Sequence, residues 1–189
     1  MNYILKPAAT LFITAFIIAA LLGIVYNLTL EPIARQKEKT QKATMGQVLP
    51  QASEYIEKQT EKTGSIVAVF EGYSVNNTSN ESELVGYVVQ LAPEGYGGKI
   101  DLIVGISLSD ENIIGIRILK HTESPGFGSG VVDEKFYKQY NNRALVPLGV
   151  VRSSPGANEI EAISRSTITT RAVTKAVNEA IEWYNGRTR

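Results

Sequence analysis

Between Pro7 and Leu30 the chain carries no charged side chain, and most residues there are Leu, Ile, Ala, Phe or Val. A helix needs roughly 20 such residues, at about 1.5 Å each, to cross about 30 Å of hydrocarbon. Core helices of soluble domains rarely run so long uncharged. A cleaved signal peptide has a shorter apolar stretch ending in small residues, whereas Tyr26, Leu28 and Leu30 close this one. The run predicts a retained single-span anchor over 7–30, behind a short tail of residues 1–6. Lys6 bounds it on one side and Glu31-Pro32 on the other. The flanking cations are Lys6 against Arg35, Lys37, Lys39 and Lys42. By the positive-inside rule this count alone would place the following domain in the cytoplasm.

Beyond the anchor a helical stem is expected over 31–60. Residues 34–49 are rich in Gln, Lys, Glu and Ala, and Pro50 stops that helix. Residues 61–189 are long enough to bury a core. Runs at 65–73, 84–91, 100–108 and 113–119 are rich in Val, Ile and Tyr and read as strands, with 109–112 as a hairpin link and 76–82 as a polar loop. A helix is expected over 131–140 and a further strand over 145–151, around Pro147. Ile168, Ala172, Val173, Ala176, Val177, Ala180, Ile181 and Tyr184 recur at helical spacing, opposite Arg171, Lys175, Asn178, Glu179 and Glu182. They predict an amphipathic terminal helix with one buried face, ended by Gly186. The fold class is α+β: a largely antiparallel sheet with packed helices, preceded by one N-terminal transmembrane helix.

Composition narrows the chemistry. Basic and acidic residues number 19 each, so no basic excess points to nucleic acid. The absence of cysteine excludes disulfides, thiolate-held iron–sulfur clusters and thiol catalysis. The single histidine, His121, leaves too few ligands for a transition-metal site, and no G-x-S-x-G elbow accompanies it.

Three loops are candidates for holding a cofactor. Gly95-Tyr96-Gly97-Gly98 could let backbone amides approach a ligand, with Tyr96 over a flat ring, or could be an ordinary turn between strands. In His121-Thr122-Glu123-Ser124-Pro125-Gly126-Phe127-Gly128 the Pro-Gly pair signals a type II turn, which aims amides at whatever lies beside it. His121 alone reads as a surface histidine at a strand end, and Glu123 as a cap. In Ser164-Arg165-Ser166-Thr167-Ile168-Thr169-Thr170 hydroxyls gather at the start of the terminal helix. One would serve as N-cap. A helix N-terminus also favours a phosphate.

Taken together and in this order behind an anchor, these motifs resemble the FMN-binding G subunit of the Rnf complex, and are similar to the C subunit of sodium-translocating NADH:quinone reductase. The likeness runs nearly the whole length and includes Val48-Leu49-Pro50 at the end of the stem. That family's last motif reads D-x-x-S/T-G-A-T, and a flavin transferase moves FMN from FAD onto its final threonine as a phosphoester. Here Glu161 takes the Asp place, Ser164 the Ser/Thr place and Thr167 the acceptor place. Arg165 stands where Gly is usual and Ser166 where Ala is usual.

The resemblance implies FMN held covalently by Thr167, with Ser164, Arg165, Ser166 and Ile168 beside the attachment point. It places Tyr96, Gly97 and Gly98, with Glu123, Ser124 and Gly126, around the ring. It implies an extracytoplasmic domain, against the charge count, on a single-pass chain of the cell membrane. Its partners would be the other integral-membrane and iron–sulfur or flavin subunits of a complex coupling electron transfer between ferredoxin and NAD to Na⁺ or H⁺ movement, and the transferase. The role is electron relay, without catalytic residues or a metal of its own. The uncharged span offers no ion path, and with no nucleotide site visible in the chain, NAD and ferredoxin would bind other subunits. Two alternatives are an anchored FMN protein with a regulatory or peripheral electron-transfer role, and a tethered binding module without redox chemistry.

Overall fold

The structure is a computed structural model that describes residues 2–59, 63–75 and 82–187. The chain forms two compact units, Met1–Gln41 and Lys42–Arg189. Helix α1 spans Asn2–Val48. Its stretch Ala8–Ile33, 26 residues long, is apolar and exposed, a candidate membrane span. At 1.5 Å per residue it measures about 39 Å, enough for the hydrocarbon core. The helix continues through Glu31-Pro32, where the sequence suggests a boundary between anchor and stem. Proline removes one backbone hydrogen bond, but its fixed φ is helical, and the Gln, Lys, Glu and Ala that follow are strong helix formers.

The stem expected over 31–60 divides. Its helix stops at Val48, and Glu54–Lys58 is strand β1, paired antiparallel with β2 (Ile66–Val75). Tyr55 is held down by its hydroxyl, which donates to the Leu49 carbonyl at 2.9 Å, and the β2 backbone supplies the ladder partners a solvated helix would not have. The second compact unit therefore begins near Lys42, well before residue 61.

Strands β3 (Ser82–Leu91), β4 (Ile100–Ser107), β5 (Asn112–His121) and the short β6 (Arg143–Ala144) follow. Among the described residues they make with β1 and β2 a six-stranded antiparallel meander in chain order. A two-stranded parallel ladder, β7 (Gly149–Val151) with β8 (Glu159–Glu161), precedes the terminal helix, Thr167–Arg187. The polar loop expected over 76–82 lies outside the described residues up to 81.

The segment between β5 and β6 departs from expectation. The helix expected over 131–140 is broken into Gly128–Val132, the short helix α2 (Glu134–Tyr137) and Lys138–Tyr140. The terminal helix is therefore α3.

Alternation along the strands assigns two faces. Val69, Tyr87, Val89, Leu102, Val104 and Ile116 form one buried cluster with Val173, Ala176, Val177, Ala180, Ile181 and Tyr184 of α3. Val88 and Ile103, on the opposite face, are covered by Met45, Val48 and Leu49 at the end of α1. Glycines on three strands make that seat. A Cβ on Gly72 would lie 2.4 Å from Leu49 Cδ2, one on Gly86 2.8 Å from Leu49 Cδ1, and one on Gly105 2.0 Å from the Val48 carbonyl oxygen. The helix end thus rests on bare backbone, closer than any side chain would permit.

Three further expectations change. The strand expected over 145–151 survives only as β7, because proline cannot donate to a ladder and Pro147 interrupts the pairing. Ile168 is 57% exposed and does not join the apolar face of α3. Gly186 lies inside α3, which continues to Arg187. Arg187 stacks its guanidinium on Tyr87 and Trp183, a contact that holds the last turn together.

Candidate functional site

The three motif loops converge on one carboxylate. Glu123 is 6% exposed. Its Oε1 accepts the backbone N–H groups of Tyr96 (2.8 Å) and Gly97 (3.1 Å). Its Oε2 accepts the Thr169 hydroxyl at 2.9 Å, and the Ser166 hydroxyl donates in turn to Thr169 Oγ1 at 2.9 Å. Hydrogen bonds closed off from water in a packed site count for more than exposed ones. One side chain therefore ties the 95–98 loop, the turn after β5 and the first turn of α3 into a unit.

This explains the glycines differently from the sequence reading. A Cβ on Gly95 would stand 2.1 Å from Glu123 Oε1, one on Gly128 1.9 Å from Glu123 Oε2, and one on Gly97 2.6 Å from the Thr122 carbonyl oxygen. They are small so that backbone can close around Glu123, and the amides of Tyr96 and Gly97 are spent on that carboxylate. Gly98 takes φ +129 and Gly126 φ +77, conformations open to glycine. The Phe127 amide returns to the Ser124 carbonyl at 3.2 Å, so Ser124–Pro125–Gly126–Phe127 is the turn that its Pro-Gly pair predicts. Tyr96 stands 74% exposed above its loop.

At the start of α3 helical rotation separates the hydroxyls, since successive residues point about 100° apart. Ser166, Thr169 and Thr170 face inward and are buried. Thr170 Oγ1 accepts the Ile163 N–H (3.0 Å) and donates to the Ser166 carbonyl (3.1 Å). Thr167 is half-buried and faces a cleft of about 850 Å³. Among the described residues none hydrogen-bonds its side chain.

The cleft is lined by two groups of residues. One is the 161–167 segment, with Glu161, Ile163, Ser164, Arg165 and Thr167. The other combines Asp133, Lys135 and Phe136 near α2 with Arg152 and Pro155 from the β7–β8 loop. Gln139 joins them, its amide donating to the Glu161 carbonyl (3.3 Å) and accepting the Glu161 N–H (2.8 Å). Arg165 takes φ +64 and Ser154 φ +54. A residue with a Cβ loses about 1 kcal/mol or more in that region, which is why glycine suits the position of Arg165.

Of the residues singled out in the sequence, Ser164, Arg165 and Thr167 line the cleft, and Glu123, Tyr96, Gly97 and Ser166 meet in the hydrogen-bonded hub. Gly98, Ser124 and Gly126 shape the loops around that hub, and Ile168 points to solvent. Sequence reasoning misses Lys135, Phe136, Gln139 and Arg152. Nothing local marks them, since they reach the cleft only through the β7–β8 ladder and the packing of α2.

A cleft of this size falls in the range that encloses a cofactor. Its cations and its open hydroxyl suit a phosphorylated group.

Comparisons with known proteins give the family of the chain and the likeness of its fold. The FMN-binding domain family matches residues 95–182, from the glycine loop to the buried face of α3. The RnfG N-terminal region matches residues 1–48, ending where α1 ends. The G subunit of the Na⁺-translocating ferredoxin:NAD⁺ oxidoreductase complex of Acetobacterium woodii is 33% identical over 192 residues, covering 96% of this chain and 91% of that protein. The G subunit of the proton-translocating ferredoxin:NAD⁺ oxidoreductase complex of Clostridium ljungdahlii is 31% identical over 182 residues, with 96% and 91% covered. In fold the chain is similar to the C subunit of the Na⁺-translocating NADH-quinone reductase of Parabacteroides distasonis, with a TM-score of 0.59 at 16% identity, covering 82% of this chain and 94% of that one.

Proposed function

The chain belongs to the family of G subunits of Rnf ion-translocating oxidoreductase complexes, and from that premise we propose that it is an electron-relay subunit carrying FMN as a phosphoester on Thr167. The observation that carries the attachment point is the sorting of hydroxyls at the start of α3. Thr169 and Thr170 are fully buried and engaged, whereas Thr167 opens to the cleft. Loading by a flavin transferase would form the bond from Thr167 Oγ to the flavin phosphorus, break the phosphorus–oxygen bond to the AMP half of FAD, and release the hydroxyl proton.

Once bound, the flavin supplies one- and two-electron chemistry. The protein supplies position. Ser164, Arg165 and Thr167 border the phosphate, and Ser166 and Thr169 fix the turn through Glu123. Tyr96, on its glycine loop, and Ile168, in the first turn of α3, are exposed on segments that the Glu123 hub joins, and offer apolar surface to an isoalloxazine. Gly97, Gly98, Ser124 and Gly126 hold those loops in shape. Ferredoxin, NAD and the Na⁺ or H⁺ path belong to partner subunits in this reading.

Thr167→Ala should abolish the flavin fluorescence that survives on a denaturing gel, and Thr167→Ser should restore part of it. Thr169→Ala and Thr170→Ala should keep it, at a cost of about 1–2 kcal/mol each in stability from lost buried hydrogen bonds. Fluorescence persisting in Thr167→Ala would refute the assignment.

In this reading the domain lies on the extracytoplasmic side of a single span. Protease added to right-side-out vesicles should digest it. Protection there, with digestion only in inverted vesicles, would reverse the orientation.

A further inference from the structure

The cleft contains two guanidinium groups that the fold itself leaves without partners. Arg165, in the 161–167 segment, and Arg152, in the β7–β8 loop, both line it. Among the described residues neither has a hydrogen-bond or ion-pair partner. Asp133 and Glu161 also border the cleft but form no ion pair with them. Arg165 moreover occupies a left-handed backbone position at φ +64, which glycine would take without strain. A charged residue lining a cleft on a strained backbone points to a ligand rather than to the fold. Nothing is gained in packing, because Arg165 is exposed.

We infer that Arg152 and Arg165 form a phosphate clamp in the cleft, which grips the phosphate of a flavin mononucleotide with both guanidinium groups and so selects it over the unphosphorylated flavin. The inference rests on the cleft being the flavin site and deepens that reading. Guanidinium groups suit the task because they present paired N–H donors to phosphate oxygens and stay charged at every relevant pH. Lys135, on the α2 side, adds a third positive charge. The phosphate would thus be held beside Thr167 before any covalent bond forms.

The test uses the full-length Thr167→Ala chain in detergent, so that only reversible binding is read. It is titrated with FMN and with riboflavin, following quenching of flavin fluorescence. FMN should bind about tenfold or more tighter than riboflavin at low salt, with the preference shrinking as salt rises. Arg152→Gln and Arg165→Gly should each cut the preference several-fold and leave the riboflavin Kd unchanged. Arg165→Gly should melt no lower than its parent, which separates loss of the clamp from loss of the fold. Equal affinity for both flavins, no binding of either, or a preference that survives in the Arg152→Gln/Arg165→Gly double variant would overturn the clamp. If the wild-type chain carries covalent flavin while Thr167→Ala shows no preference, the clamp falls and the attachment stands. If the wild-type chain carries none and the preference is present, the reverse holds.

Discussion

Glu123→Ala should lower stability by about 2–4 kcal/mol and remove most of the flavin loading. The substitution strands two backbone N–H groups, of Tyr96 and Gly97, and the buried Thr169 hydroxyl. Each unsatisfied group costs about 1–3 kcal/mol where water cannot replace the partner. The penalty is offset in part because the carboxylate no longer has to be desolvated. Loading should fall further than stability alone dictates, because the same carboxylate holds the glycine loop against the turn after β5 and the start of α3. Glu123→Gln should lie between. Its remaining oxygen still accepts the two amides, but its NH₂ faces the Thr169 oxygen, so that hydroxyl must turn toward Ser166. Thermal unfolding in detergent and in-gel fluorescence read the two effects separately. A Glu123→Ala chain that melts and loads like the wild type would mean that this carboxylate does not organise the site.

Gly105→Val should be as damaging at the other face of the sheet. Its Cβ would lie 2.0 Å from the Val48 carbonyl oxygen and 2.6 Å from the Val48 carbonyl carbon. Both are backbone atoms of a helix end and cannot swing aside. Either the sheet deforms, or Met45, Val48 and Leu49 lift from their seat and expose side chains that are now buried. The expected cost is about 3–5 kcal/mol, overpacking added to lost burial. Gly115→Ala is the control. The register pairs Gly115 with Gly105, yet its Cβ would press only on the Asn141 side chain, 2.8 Å from Oδ1, and that side chain can move. It should cost about 1 kcal/mol or less. A Gly105→Val melting temperature within a degree or two of the wild type would show that the helix end is not seated as described.

Much of the architecture is legible in the sequence because it follows from periodicity. The strand runs carry alternating apolar residues for two covered faces, and the α3 stripe from Val173 to Tyr184 is buried as its spacing requires. The motif order carries the site, since the glycine loop, the turn after β5 and the hydroxyl segment do meet. What joins them is not legible. Glu123 reads in sequence as a ring contact or a cap, and only the fold reveals a buried hub, because its partners lie far away along the chain. Nor can local pattern reveal that the glycines serve Glu123 and the α1 seat, since a small residue looks the same whether a ligand or a neighbouring backbone needs the space. Arg152 and Lys135 reach the cleft through tertiary contacts that leave no periodic trace. Pro147 reads as tolerable in a strand, but the ladder of β7 begins only after it. Ile168 fits the apolar stripe by spacing and is exposed because the first turn of α3 is rotated by its hydroxyl contacts.

A phosphoester at one hydroxyl is read from peptide mass spectrometry of the chain purified from its native membrane. Trypsin cuts after Arg165 and Arg171, which releases Ser166-Thr167-Ile168-Thr169-Thr170-Arg171. That peptide holds every hydroxyl in contention, and fragmentation along its backbone separates them. The expected peptide is heavier than its sequence by one FMN less one water, with the added mass on Thr167. Added mass on Ser166, Thr169 or Thr170, or an unmodified peptide from membranes whose transferase is active, would contradict that assignment.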